Sequence, residues 1–297
     1  MASVRGAATA LPNPALDTAD AQREFAFSKG DFEFLAALAY QHAGISLSDS
    51  KRNLVYGRLS RRLRALGLTS FADYREYIDG DKTEIERFIN SISTNHTKFF
   101  REAHHFTHFR SSVAELFAQQ DQKKTMRRLR VWSAGCSTGE EPYSIAMTVR
   151  ETVPEGARHD IRILATDLDS DVLSRARNGV YAQDRMKGLP ADRIGRFFRE
   201  HRDGSDAKYR VTPDLSELIA FNQLNLMNTL PMKGPLDVIF CRNVVIYFDK
   251  ETQRDLFKRY AQLQRPGDIL FLGHSESMFK VSDDYALVGR TIYRRNA

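Results

Sequence analysis

Cysteine is scarce: Cys136 and Cys241 are the two among 297 residues. That excludes a disulfide framework and suits a reducing compartment, so a cytoplasmic location is expected. No apolar run approaches the roughly 18 residues of a membrane span. The first residues also lack the continuous apolar segment of a secretory signal. Neither export nor insertion into a membrane is expected. The H-E-x-x-H pattern is missing as well. His104 and His108 share a helix face with no carboxylate between them and no third ligand. No metal is therefore expected, and these two, with His105, are read as surface or interface histidines. Aromatic residues do not interleave with basic ones as they do in single-strand binders, which speaks against a nucleic-acid partner.

What is present suggests one large domain preceded by a small one: 42% of the residues are hydrophobic and the formal net charge is +6. Residues 1–27 are Ala-rich, broken by Pro12 and Pro14, and are expected to form a disordered tail. Residues 28–93 carry helical signals and are read as a helical N-terminal domain. Asp31 is the expected cap of a first helix that Gly44 stops; Ser48 or Asp49 opens a second, ended by Gly67. Thr69 or Ser70 opens a third, and Asp81 with Glu84 makes a capping-box-like start to a fourth. The second helix is rich in arginine, including Arg58, Arg61 and Arg62. Such a run is either a solvated face or a docking surface for an acidic partner. Residues 94–128 are expected to be a linker and connecting helix, with 129–297 as the main α/β domain.

The main domain opens on the stretch from Val131 to Ala146, which reads as strand, small-residue turn and helix start. Gly135, Ser137 and Gly139 keep bulk out of the turn, so a ligand can approach the backbone. Glu140 and Glu141 would repel a pyrophosphate there and attract a cation, which suits S-adenosylmethionine better than NAD or ATP. A second apolar strand, Ile161 to Thr166, ends in Asp167, where dinucleotide-type folds place a ribose-binding acid. The rhythm then breaks. Gly188 to His201 reads as a helix, followed by a turn at Arg202 to Ser205 and strands at Tyr209 to Thr212 and Leu218 to Leu226. This is expected to be an inserted antiparallel unit of about residues 181–221, its last strand returning to the main sheet. Leu236 to Phe248 holds another buried strand and its exit, Asp249 caps a helix, and a strand and a closing hairpin end the chain. The pattern is a largely parallel α/β sheet with an antiparallel end.

Taken together, these residues resemble a known family. Asn95-x-Thr97-x-Phe99-Phe100-Arg101, Ser137-Thr138-Gly139-Glu140-Glu141-Pro142-Tyr143-Ser144, Ala165-Thr166-Asp167, Asn225-Leu226 and Phe240-Cys241-Arg242-Asn243-Val244-x-Ile246-Tyr247-Phe248 resemble, in order, the chemotaxis-receptor glutamate O-methyltransferases, the CheR-type family. The resemblance runs from about Phe32 to Arg294. It implies a Rossmann-like methyltransferase domain behind a helical domain, with S-adenosylmethionine as methyl donor and receptor glutamates as acceptors. By the same resemblance Asn95, Thr97, Arg101, Glu141, Asp167, Asn225, Leu226, Arg242 and Asn243 line the cofactor site, and Arg101 and Tyr247 match positions linked to catalysis. It also gives the arginine-rich helix an acidic chemoreceptor bundle to face. In that family some members use the β-subdomain to tether a receptor's C-terminal peptide and others do not; tether and lid both remain open readings of the insert.

The chemistry agrees with what is missing. A glutamate carboxylate is already ionised at neutral pH, its reference pKa being about 4.3, so methyl transfer to it needs no general base. The enzyme's work is positioning and partial desolvation. A base-methylating rival would need an Asn/Asp-Pro-Pro-aromatic turn where this chain has Cys241-Arg242-Asn243-Val244. An inactive receptor adaptor would not need Arg101 and Tyr247.

Overall fold

In the computed structural model, the described residues are 23–123, 126–154, 159–203 and 206–297. The expected tail up to residue 22 and the tip of the turn at Gly204-Ser205 lie outside them. Four helices form the first layer: α1 (Lys29–Ala43), α2 (Arg52–Leu66), α3 (Phe71–Ile78) and α4 (Lys82–Ile92). Their caps explain their ends. Ser28, not Asp31, is the N-cap of α1; Asp31 sits three residues in and returns the bond to the Ser28 N–H at 2.9 Å, closing a capping box. Asp81 caps α4 by accepting from Thr83 and Glu84 N–H. Glu84 does not complete that box. It turns inward, 1% exposed, and takes Tyr74 Oη at 2.9 Å and Arg62 Nε at 2.8 Å.

The core of this layer includes Leu35, Leu59, Leu63, Phe71, Tyr74 and Phe88, together with Phe25 and Phe27. The last two correct the expected tail boundary. Phe25 and Phe27, two residues apart on one side of an extended segment, bury their rings against Phe71. Chain order then gives α5 (Ala103–Gln122), β1 (Arg127–Ala134), α6 (Glu140–Thr152), β2 (His159–Asp167) and α7 (Ser170–Asn178).

A seven-stranded sheet organises the rest, in the order β6-β2-β1-β7-β8-β10-β9, where β6 is Ile219–Gln223, β7 Val238–Cys241, β8 Ile269–Leu272, β9 Tyr285–Gly289 and β10 Ile292–Arg295. The first five run parallel and β10 runs antiparallel to both neighbours. Side-chain alternation divides the core. Leu129, Val131 and Phe240 face α5 and α6, whereas Trp132, Ile239 and Leu270 face α10 (Lys250–Gln262). The strand order reverses between β1 and β7, and the crevice beyond their carboxyl ends is where such sheets bind ligands. This is the expected Rossmann-like fold.

The antiparallel insert is a separate three-stranded sheet ordered β3-β5-β4, from β3 (Val180–Ala182), β4 (Phe198–Asp203) and β5 (Asp206–Val211). It is shorter than expected at its carboxyl end, because α9 (Pro213–Ser216) follows and β6 pairs with β2 in the main sheet. The expected helix to His201 is also cut back: α8 is Ala191–Phe197, and Phe198 to His201 pair with β5 instead. Backbone pairing along a whole strand outweighs weak helical propensity in this stretch. No described helix is long and apolar enough to cross a membrane.

Candidate active site at the carboxyl ends of the parallel strands

The β1 turn is held by its backbone. Gly135 has φ +94°, and a Cβ there would lie 2.3 Å from Val244 Cγ2, so only glycine fits. The N–H groups of Gly135 and Cys136 both donate to the Thr166 carbonyl, at 2.8 and 2.9 Å. Ser137, also left-handed at φ +48°, donates its N–H to Asp167 Oδ2 at 2.7 Å. The other Asp167 oxygen accepts from Asp169 N–H at 3.1 Å. Burial raises the Asp167 pKa, and these N–H donors oppose the rise.

Arg242, leaving β7, is the hub beneath the turn. Its side chain is 2% exposed and lies 3.1 Å from Glu141 Oε2 and 3.4 Å from Glu102 Oε2. It also donates to the Arg101 carbonyl and lies over the Phe106 ring. Glu141 accepts from Ser133 Oγ at 2.7 Å through its other oxygen. Burial pushes the Glu141 pKa up against the pull of Arg242. Glu102 goes the other way. Burial acts to raise it, but Arg242 and the His274 backbone and ring nitrogens together hold it below the usual carboxylate range. His105, expected at a surface or interface, is fully buried instead. It lies 3.4 Å from Glu102 and 3.2 Å from the Arg290 carbonyl, and burial, then Arg242, lowers its pKa to about 4.

A second buried carboxylate fixes the next turn. Glu276, 5% exposed, accepts from the N–H groups of Asn243 (2.9 Å), Val244 (2.8 Å), Ile246 (3.3 Å) and Gly273 (2.5 Å). Asn243 is thereby held at φ +60°. Burial raises the Glu276 pKa, again against its N–H donors.

The opposite wall comes from the helical layer and the loop after it. Asn95 Nδ2 donates to Asp169 Oδ2 at 2.9 Å and Arg101 to the His96 carbonyl at 2.8 Å. Asn225 Nδ2 donates to the His42 carbonyl at 2.5 Å, and Ser46 N–H to the Tyr247 carbonyl at 2.8 Å. Thr97 is buried; its carbonyl accepts from Arg185, which also lies 3.4 Å from the buried Glu140.

Between the walls is a cavity of about 350 Å³, within the usual range for small-molecule sites. Its lining contains Asn95, Thr97, Arg101, Glu141, Asp167, Asn225, Leu226, Arg242, Asn243 and Tyr247 together. Sequence reasoning missed Glu102 and Glu276, single glutamates most of whose partners, Arg242 and His274 for the first and residues 243–246 for the second, are remote in the chain. The arginines expected to dock a partner behave differently from one another. Arg62 is committed to Glu84, and Arg58 donates to the Ser93 carbonyl at 2.9 Å and to Thr94 Oγ1 at 2.8 Å. Both thus have acceptors within the chain. Arg61 is exposed.

The comparisons with known proteins agree with this geometry. Residues 95–294 match the family described as CheR methyltransferase, SAM binding domain, and residues 30–93 match CheR methyltransferase, all-alpha domain. Chemotaxis protein methyltransferase 2 of Pseudomonas aeruginosa is 43% identical over 286 residues, 96% of this chain and 98% of that protein. Chemotaxis protein methyltransferase of Escherichia coli K12 is 41% identical over 271 residues, 90% and 91% of the two chains. That of Salmonella typhimurium is 39% identical over 274 residues, 91% and 92%. This chain belongs to the CheR methyltransferase family, and its methyl donor is S-adenosyl-L-methionine.

Proposed function

We propose that this chain methylates glutamate side chains of chemoreceptors, giving glutamate methyl esters, with Arg101 and Tyr247 as the residues that meet the acceptor. The observation that carries the reading is the single cavity that holds Arg101 and Tyr247 together with Glu141 and Asp167. The residues fit the donor. On the sheet wall Glu102 and Glu141 outnumber the one guanidinium between them, that of Arg242, and Asp167 adds a further carboxylate, while the cations Lys98 and Arg101 line the opposite wall. Such a site attracts a sulfonium and an ammonium. Ser137 Oγ is buried with no partner within the described chain and lines the same space, so it is available to a polar ligand group. Leu226 and Val244 supply apolar wall.

In this reading Asp167 binds the ribose hydroxyls and Glu141 the ammonium, with Asn95, Thr97, Asn225, Arg242 and Asn243 shaping the rest of the donor site. When bound, S-adenosylmethionine supplies a methyl group on a positively charged sulfur. The chain's own residues act on the acceptor. Arg101, fixed through the His96 carbonyl, draws the ionised carboxylate inward. The Tyr247 hydroxyl holds it in line, and the surrounding walls strip water from the nucleophile. Labelled donor and a chemoreceptor cytoplasmic fragment test this: base-labile methyl esters should form, and Arg101→Lys or Tyr247→Phe should lower turnover more than donor affinity. Base-stable label, or none, would overturn it.

Two partner contacts extend the proposal. Arg61 on the exposed face of α2 meets the acidic methylation helices, and β4 receives a receptor's C-terminal peptide. Support for the second is that the six-residue β4 bonds only to β5 among the described strands, leaving an edge for strand addition. Titration with receptor C-terminal peptides should show saturable binding; none, with normal methylation of receptors lacking those tails, leaves the insert as a lid.

A further inference from the structure

Two exposed apolar side chains lie on the loops that frame the cavity. Ile246 is 48% exposed and lines the cavity, while Phe279 is 76% exposed, more than any other large hydrophobic side chain among the described residues. Their loops are not independent. Glu276 takes the Ile246 N–H on one side and the Gly273 N–H on the other, so a single buried carboxylate clamps residues 243–246 to the segment that begins at 273. Met278, next to Phe279, is 2% exposed and its N–H donates to Tyr293 Oη at 3.3 Å, which anchors that segment in the core. Phe279 is thus an apolar ring held out from a fixed base. Lys280, at φ +58°, sets its ammonium 5.3 Å from the ring centroid.

The carboxylates near this apolar pair, Glu102, Glu141 and Glu276, are largely buried and held by Arg242 or by N–H donors, and the exposed lysines stand outside them. Lys280 adjoins the pair, and the exposed Lys98 lines the cavity with Arg101 and His274. An apolar side chain on a carboxylate-rich segment fits both features. We propose that Ile246 and Phe279 form an anchoring platform at the cavity mouth for the acceptor itself: an acidic amphipathic helix whose apolar residue, one turn from the glutamate to be methylated, packs on Phe279. On a helix, residues three or four apart lie side by side, so seating the apolar residue places the carboxylate at the mouth. Lys280 and Lys98 meet the neighbouring acids. The inference rests on the acceptor reading above and adds to it the feature by which a particular glutamate is chosen.

The test is steady-state methylation of a chemoreceptor cytoplasmic fragment by wild type, Phe279→Ala, Phe279→Leu, Ile246→Ala and Leu287→Ala. Leu287 is a matched control, 64% exposed on the far edge strand β9. Truncating an aromatic anchor at an interface should raise KM for the fragment about tenfold. Phe279→Leu should recover part of the loss, Leu287→Ala should match wild type, and calorimetric affinity for S-adenosylhomocysteine should be unchanged in the Phe279 and Leu287 variants. An unaltered KM in folded Phe279→Ala, or an equal rise in Leu287→Ala, overturns the platform while leaving the methyltransferase reading intact. A wild type that binds S-adenosylhomocysteine but methylates no receptor fragment overturns both.

Discussion

The two walls of the cavity are built on different principles. On the sheet side, position is set by backbone that cannot relax: left-handed Gly135, Ser137 and Asn243, N–H groups aimed at Asp167 and Glu276, and a buried guanidinium between two carboxylates. On the helical side, the wall is attached by hydrogen bonds that join it to the sheet domain: Asn225 to the His42 carbonyl, Ser46 to the Tyr247 carbonyl, Asn95 to Asp169 and Gln223 to Glu86. Desolvated charge makes the first wall costly to disturb. The second is held by several ordinary hydrogen bonds and by the packing of Leu168 and Tyr247 on the helical core, with no buried ion pair across the junction among the described residues. The difference assigns donor geometry to the sheet and leaves the helical layer free to adjust to a large acceptor.

The strongest way to break this contrast is Arg242→Ala. Removing one partner of a buried charge cluster should cost about 3–5 kcal/mol of stability, because Glu102 and Glu141 are left facing each other. Urea unfolding measures it, and a loss below about 1 kcal/mol would make the sheet wall no more rigid than the other. Next in size, Asp167→Ala and Glu141→Ala should each weaken S-adenosylhomocysteine by roughly 10- to 100-fold, as hydrogen bonds to charged groups are worth about 1.5–3 kcal/mol. Calorimetry on folded variants decides it, and unchanged affinity in both would remove the donor assignment.

A pH series sharpens the same side. His105 faces Glu102, Arg242 and His104, and its folded pKa is lowered from 6.5 to about 4. Between those values the unfolded chain binds a proton that the folded chain does not, so stability rises with pH. This contribution is full above about 6.5 and lost as pH falls to about 4. Glu141, Asp167 and Glu276 are raised by burial and slope the opposite way. Urea midpoints of wild type and His105→Gln across this range read the histidine together with its neighbour Glu102, and the variant should lose on the order of 3 kcal/mol of the pH dependence. The smallest effect belongs to the helical wall. Asn225→Ala should cost about 1 kcal/mol and speed hydrogen exchange at the end of α1. A loss as large as that of Arg242→Ala would erase the contrast between the walls.

Legibility in the sequence followed the same division. Gly135 and Gly139 announce a turn because other residues strain there, and an acid after an apolar strand, as at Asp167, has few other reasons to be placed so. The parallel sheet, its antiparallel end and the helical layer were legible from periodicity and caps. What escaped notice depends on partners distant in the chain. Nothing near Glu276 tells that it will gather four N–H groups, and nothing in α2 tells that Arg62 meets Glu84 while Arg61 meets solvent. The burial of Phe25 and Phe27 has the same cause: a short segment looks like tail until the hole it fills exists. His105 looked like a surface residue because its hydrogen-bond partners, the Arg290 carbonyl and Thr291 Oγ1, come from the final hairpin.

Arg185 and Tyr181 join the small antiparallel sheet to the donor site: Arg185 reaches the Thr97 carbonyl and Glu140, and Tyr181 Oη donates to the Thr138 carbonyl at 2.8 Å. Phe99 packs its ring on Tyr181 and on Phe198 of β4. The small sheet and the donor loops are thus one mechanical piece. Linkage then sets a strict symmetry. Whatever occupies β4 and displaces these side chains changes donor affinity by some factor, and the donor must change the occupant's affinity by that same factor. For a receptor segment bound at β4 as proposed above, losing the donor would weaken that segment's hold by the same factor by which losing the segment weakens the donor's.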